Sequence, residues 1–140
     1  MDLIDLTGLK IMVIDDSNTI RRSAEMFLKP SGCDVILAQD GFDALSKIVD
    51  YQPNLIFVDI MMPRLDGYQT CSLIKRNPRY QATPVIMLSS KDGLFDRARG
   101  RMVGSDQYLT KPFTRDTLMQ AIDTYLIHQK NAYMLEKLTA

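Results

Sequence analysis

Residues 10–19 read KIMVIDDSNT. Ile11, Met12, Val13 and Ile14 make an unbroken apolar run. A strand without polar alternation is one covered on both faces, the condition of parallel strands packed between helices. The run ends in two adjacent carboxylates, Asp15 and Asp16, and then Ser17, a residue suited to cap a helix. Strand, acids and helix start, in that order, decide the fold class. They also pose a question, because two like charges stand where the core begins.

Outward from this stretch the same unit recurs. Further strands are expected at 35–38, 55–58, 85–88 and 107–110, and those at 55–58 and 85–88 are again continuously apolar. Ser17 opens a helix whose inner side is Ile20, Ala24, Phe27 and Leu28, with Gly32 as terminator. Asp40 precedes one with Ala44, Leu45, Ile48 and Val49 inward, stopped before Pro53. Asp66-Gly67 opens a third, with Cys71 and Ile74, closed at Asn77-Pro78. Asp92-Gly93 opens a fourth with Phe95, Ala98 and Met102, ended near Gly104. Thr114 caps the last, where Leu118, Ala121, Ile122, Tyr125 and Leu126 share one side. Five strands alternating with five helices predict an α/β, doubly wound parallel sheet. The common order for five strands is the flavodoxin-like 2-1-3-4-5. It makes the first and third strands neighbours and sets a switch point outside their carboxyl ends. Residues 9–126 are expected to form this one domain, with 127–140 a helical extension or a frayed tail.

Composition narrows the function. The chain has 140 residues, 46% apolar and 24% charged, in the globular range. Its 17 basic and 17 acidic side chains cancel, which argues against nucleic acid or an anionic membrane as partner. No apolar run approaches the roughly 20 residues that span a bilayer, and MDLIDLTGLK is not expected to be a secretory signal. Cys33 and Cys71 form no C-x-x-C pair and read as reduced, half-buried small hydrophobes of a cytoplasmic protein. The single His128 makes no histidine-rich metal site.

On the expected topology Asp59, ending the strand in LIFVDIMMPRLDG, converges with Asp15 and Asp16 on one edge. Two unit charges about 4 Å apart repel by roughly 4 kcal/mol at an effective dielectric near 20. A cation offsets that repulsion, and a set of hard oxygen donors suits Mg²⁺, which favours a phosphate as a further ligand. The site therefore points to phosphoryl transfer. Each acid alone would equally suit a turn or a helix N-terminus, where negative charge is favourable; the argument is their conjunction. Strands four and five bring Ser89, in VIMLSSKDG, and Lys111, in YLTKPF, to the same edge. A cis bond before Pro112 would aim Lys111 inward.

These motifs, VIDDS, FVDIMMPRLDG, PVIMLSS and LTKPF in that order, resemble a response-regulator receiver domain from about residue 9 to 126. The runs around them are similar to the stand-alone receivers of type IV pilus twitching-motility systems. The resemblance implies that Asp59 accepts a phosphoryl group from a kinase phosphohistidine. It implies that Asp16 and Asp59 ligate Mg²⁺ directly, Asp15 largely through water, with the Met61 carbonyl as a further ligand. Lys111 would contact the phosphoryl group, Ser89 would move to hydrogen-bond it, and Tyr108 would turn inward behind it. Met61 and Lys91 would set the phosphoryl lifetime. The output surface would be the fourth helix, fifth strand and fifth helix. Implied partners are a chemotaxis-type histidine kinase or its phosphotransfer domain and a pilus motor or other downstream protein, the receiver being a monomer or a phosphorylation-promoted dimer. Competing readings are an Mg²⁺-dependent phosphohydrolase, a flavin mononucleotide binder and a degenerate scaffold receiver. The first would want a D-x-D pattern after strand one, the second a Ser/Thr/Gly-rich phosphate loop there, and the third a missing motif residue.

Two stretches stand outside this scheme. Arg97, Arg99 and Arg101 read as a solvated face of the fourth helix, and Gly100 inside it costs roughly 1 kcal/mol against alanine, which predicts a loose helix. Met134, Leu135 and Leu138 would continue the fifth helix as an amphipathic extension.

Overall fold

The computed structural model describes residues 5–90 and 96–139, and for 127–134 the backbone alone. Five strands, β1 (Lys10–Ile14), β2 (Asp34–Ala38), β3 (Leu55–Asp59), β4 (Val85–Ser90) and β5 (Gln107–Lys111), form one sheet of order β2-β1-β3-β4-β5. Every pairing is parallel. The helices between and after them are α1 (Asn18–Leu28), α2 (Gly41–Tyr51), α3 (Gly67–Arg76), α4 (Arg97–Met102) and α5 (Arg115–Thr139).

The pleat sorts the apolar runs into two cores. Met12, Ile14, Ile56, Val58, Val85 and Met87 face the side of α2 and α3, with Ala44, Ile48, Cys71 and Ile74. Ile11, Val13, Leu55, Phe57, Ile86 and Leu88 face the other side, with Ala24, Leu28, Leu118, Ala121 and Ile122 of α1 and α5. Consecutive residues of one strand thus fill opposite layers, which is why β1, β3 and β4 carry no polar alternation.

The expected caps form. Ser17 accepts from the Ile20 N–H, Asp40 from that of Asp43, and Asp66 and Gln69 make a reciprocal capping box. Thr114 Oγ1 accepts from the Thr117 N–H at 3.1 Å at the start of α5. A 3₁₀ turn, Lys29–Ser31, intervenes between α1 and Gly32, whose φ of 90° ends it. The peptide bond before Pro112 is cis.

Four expectations need correction. Val49 is 56% exposed, on the outer side of α2, because Ala44, Leu45 and Ile48 already span the stripe facing the sheet. The helix start expected at Asp92-Gly93 falls, with Phe95, outside the described residues, and Asp96 caps α4 by accepting from the Arg99 N–H. That cap turns Gly100 to the core and leaves Ala98 exposed and Met102 86% exposed. Cys33 and Cys71 are buried outright. The backbone of α5 runs on to Thr139 with Leu135 and Leu138 exposed, whereas the side chains of His128 and Met134 fall outside the described residues. Among the described residues no helix is long and apolar enough to cross a membrane.

Candidate functional site

The carboxyl ends of β1, β3, β4 and β5 meet at one edge. Asp15 follows β1 immediately, and its N–H bonds to the Ala38 carbonyl at 3.1 Å, extending the ladder with β2. Its side chain is fully buried. Oδ1 accepts from the Ser17 N–H at 2.9 Å, and Oδ2 from Lys111 Nζ at 3.1 Å. Asp16, next in the chain, is exposed. Asp59 ends β3 and is 2% exposed. Its Oδ1 accepts from Lys111 Nζ at 3.0 Å and from the Met61 N–H at 3.2 Å. Carboxylate oxygens of Asp15, Asp16 and Asp59 all lie within 4.8 Å of one another.

The electrostatics reflect this crowding. Burial raises the Asp59 carboxyl from 3.8 to about 7; the charge of Asp15 pushes the same way, and Lys111 offsets only part of it. Burial also works against the Lys111 charge, but Asp15 and Asp59 outweigh it and hold that ammonium above its ordinary value. One cation serving two buried carboxylates, with a third carboxylate at the rim, leaves net negative charge in the cleft. A site of hard oxygen donors in that state fits a divalent cation such as Mg²⁺.

The remaining candidates fall around this cluster. Ser89 is buried on β4, one residue past Leu88, the partner of Asp59 across the ladder, and its hydroxyl donates to the Ser90 carbonyl at 3.3 Å. Met61 offers its N–H to Asp59 while its side chain is 71% exposed. Tyr108 stands apart, opposite Met87 on the α2–α3 side of the sheet, where its ring is half-buried. Its hydroxyl accepts from Arg97 at 2.8 Å, and the same guanidinium lies 5.4 Å from the ring centroid. Lys91 lies outside the described residues.

The three arginines of α4 are exposed, as the sequence predicts, but two of them also lie against aromatic rings. Besides Arg97 on Tyr108, Arg99 lies 4.4 Å over the Tyr68 ring and 3.6 Å from Asp66. Tyr68 is buried, and its hydroxyl accepts from the Asp96 N–H at 3.0 Å, so α3 holds the start of α4. Arg21 also escapes sequence reasoning. It donates to the main-chain carbonyl of Asp15 at 2.6 Å, and nothing in its helical position separates it from an ordinary surface arginine.

Comparison with known proteins now bears on this geometry. A family model described as "Response regulator receiver domain" matches residues 11–123. Protein PilG of Pseudomonas aeruginosa is 71% identical over 119 residues, which cover 85% of this chain and 88% of PilG. The alkaline phosphatase synthesis transcriptional regulatory protein PhoP of Bacillus subtilis is 41% identical over 105 residues, covering 75% of this chain and 43% of PhoP. Among solved structures, the chemotaxis protein CheY4 of Vibrio cholerae superposes with a TM-score of 0.79 at 29% identity, over 83% of this chain and 97% of CheY4.

Proposed function

The chain belongs to the response-regulator receiver domain family, and from that membership we propose that Asp59 is its phosphoryl acceptor. The receiver spans 9–126, and the backbone of 127–139 continues its last helix. The observation that carries the reading is the convergence of Asp15, Asp16 and Asp59 within 4.8 Å, with Lys111 bridging two of them.

Each side chain has a task in this scheme. Asp16 and Asp59 would hold Mg²⁺ directly, Asp15 through water, and the Met61 carbonyl would complete the protein ligands. Bound there, the metal supplies positive charge that keeps Asp59 ionised and offsets charge on the phosphoryl oxygens. Asp59 attacks the phosphorus of a kinase phosphohistidine; the new O–P bond forms as the P–N bond breaks, and the imidazole leaves with the electron pair. Lys111 takes a phosphoryl oxygen in place of one of its carboxylate partners. Ser89 hydrogen-bonds another, and Tyr108 gives up Arg97 to fill the space behind it, which biases the α4–β5–α5 face between two states. Met61, exposed beside Asp59, and Lys91 govern the approach of the water that ends the signal.

The donor is a chemotaxis-type histidine kinase or its phosphotransfer domain. By resemblance to the twitching receivers, the output is contact with a pilus motor or another downstream protein in the cytoplasm, the receiver being a monomer or a phosphorylation-promoted dimer. The test is intact mass after incubation with acetyl phosphate and Mg²⁺. Wild type gains one phosphoryl group and Asp59→Asn gains none; equal labelling of both removes Asp59 from its role. Pull-downs of motor and chemosensory components with and without donor then read the output.

A further inference from the structure

The segment leaving β3 decides where the Asp59 carboxylate sits. The Ile60 carbonyl accepts from the Gly67 N–H at 2.9 Å, so the first residue of α3 is bonded back onto that segment. The approach is closer than any side chain allows. A methyl group at Gly67 would lie 2.3 Å from the Asp59 carbonyl oxygen, 2.7 Å from the Ile60 Cα and 2.9 Å from the Asp59 carbonyl carbon. All three are backbone atoms, with no rotamer through which to escape. Gly67 is not among the glycines with positive φ, so the demand is for space and not for a special conformation.

Neither partner is free to move aside. Asp66 Oδ1 accepts from the Gln69 N–H at 2.8 Å and Gln69 Oε1 from the Asp66 N–H at 3.0 Å, which fixes the end of α3. Tyr68, the next residue, is buried and bonded to Asp96. β3 is the central strand, paired on both sides, and the ladder continues past Asp59 through the Ile60 N–H and Leu88 carbonyl at 3.1 Å. Restoring ordinary contact, 3.4 Å or more, would displace Asp59 and Ile60 by about 1 Å, and a misplacement of that size costs roughly a hundredfold in a reaction that depends on positioning.

We propose that Gly67 is a positioning residue for the acceptor: its missing side chain lets α3 seat against the Asp59 backbone and holds that carboxylate against Asp15, Asp16 and Lys111. The consequence for phosphorylation rests on Asp59 being the acceptor, whereas the placement of the carboxylate does not.

The test uses the full chain as wild type, Gly67→Ala and Gly41→Ala. Gly41 is a matched control, since its added methyl would lie 2.5 Å from Thr70 Oγ1 and 2.7 Å from Leu65 Cδ2, crowding the α3 region through side chains without touching Asp59. Mg²⁺ affinity is measured by calorimetry, and labelling by acetyl phosphate at saturating Mg²⁺. For Gly67→Ala we expect Mg²⁺ binding at least about tenfold weaker and labelling about a hundredfold slower. Gly41→Ala stays within about twofold of wild type in both. Gly67→Ala matching Gly41→Ala in both measurements overturns the proposal. A wild type that binds Mg²⁺ but takes no label, with binding still weakened in Gly67→Ala, sinks the phosphoryl reading and leaves the positioning role standing. Should Gly67→Ala fail to fold, wild-type amide shifts decide: Mg²⁺ must move the Gly67 resonance together with those of Asp59 and Ile60, and an unmoved Gly67 overturns the proposal.

Discussion

Replacing Asp59 should make the metal-free protein more stable. Asp59→Asn keeps the side-chain volume and removes a charge that burial and Asp15 both oppose. The carboxyl moves from 3.8 in its ordinary state to about 7 in the fold. A carboxyl whose native pKa lies above its unfolded one binds its proton more tightly when folded, so its charged form handicaps the native state. The handicap is absent below about pH 4, grows as pH rises, and is complete above about pH 7. At about 1.4 kcal/mol for each pH unit of that window, the full handicap near pH 8 is roughly 2–4 kcal/mol after side-chain relaxation. Urea denaturation in EDTA reads it directly. Near pH 8, Asp59→Asn should exceed wild type by roughly that amount, and near pH 5 by about 1 kcal/mol. A variant less stable than wild type near pH 8 would mean that the Lys111 bridge outweighs burial and Asp15, and the account of the cluster as a self-repelling cation site would fall. A gap that does not change between the two pH values would trace the effect to something other than this carboxyl.

The same structure sets other outcomes. Millimolar Mg²⁺ should raise the urea midpoint of wild type, by RT ln(1 + [Mg²⁺]/Kd), and leave that of Asp59→Asn nearly unmoved; equal gains would place the cation elsewhere. Burial pushes the Cys71 thiol up to about 12, and its Sγ lies 3.4 Å from the Val103 carbonyl, so it should resist a disulfide reagent in the native state at about pH 8 and react on unfolding. Phe57→Ala, in the middle of the central strand, should cost roughly 3–5 kcal/mol in chemical denaturation, and a loss under 1 would contradict its place in the core. Amides of α4, six residues long with a central glycine, should exchange faster than those of α1, and equal protection would refute the loose-helix reading.

The strands are legible because both-face burial writes itself as unbroken apolar runs, and each observed strand agrees with its expected span to within two residues at either end. The acids at 15, 16 and 59 are legible only through topology, since their proximity depends on β1 and β3 being neighbours. The start of the fourth helix is not, because acid-glycine at 92–93 and Asp96 carry the same local signal for a cap. Local chemistry does not choose between two competent caps four residues apart; the docking of Tyr68 and Arg99 does. Gly67 reads in the sequence as half of a helix-opening pair. Its contact with the Asp59 backbone joins residues eight positions apart through the geometry of a turn, and no propensity encodes that. The apolar pattern puts Tyr108 on the right strand, but its bond to Arg97 depends on where α4 lands.

Lys111 reaches Asp15 across 96 positions of chain. A ribosome delivers the N-terminal end first, so both acids emerge well before the ammonium that bridges them. During synthesis the growing polypeptide therefore carries both buried carboxylates long before the lysine that pairs with them. A translation product cut short ahead of the fifth strand would hold Asp15 and Asp59 together with no ammonium between them, a charge cluster left without its counterweight.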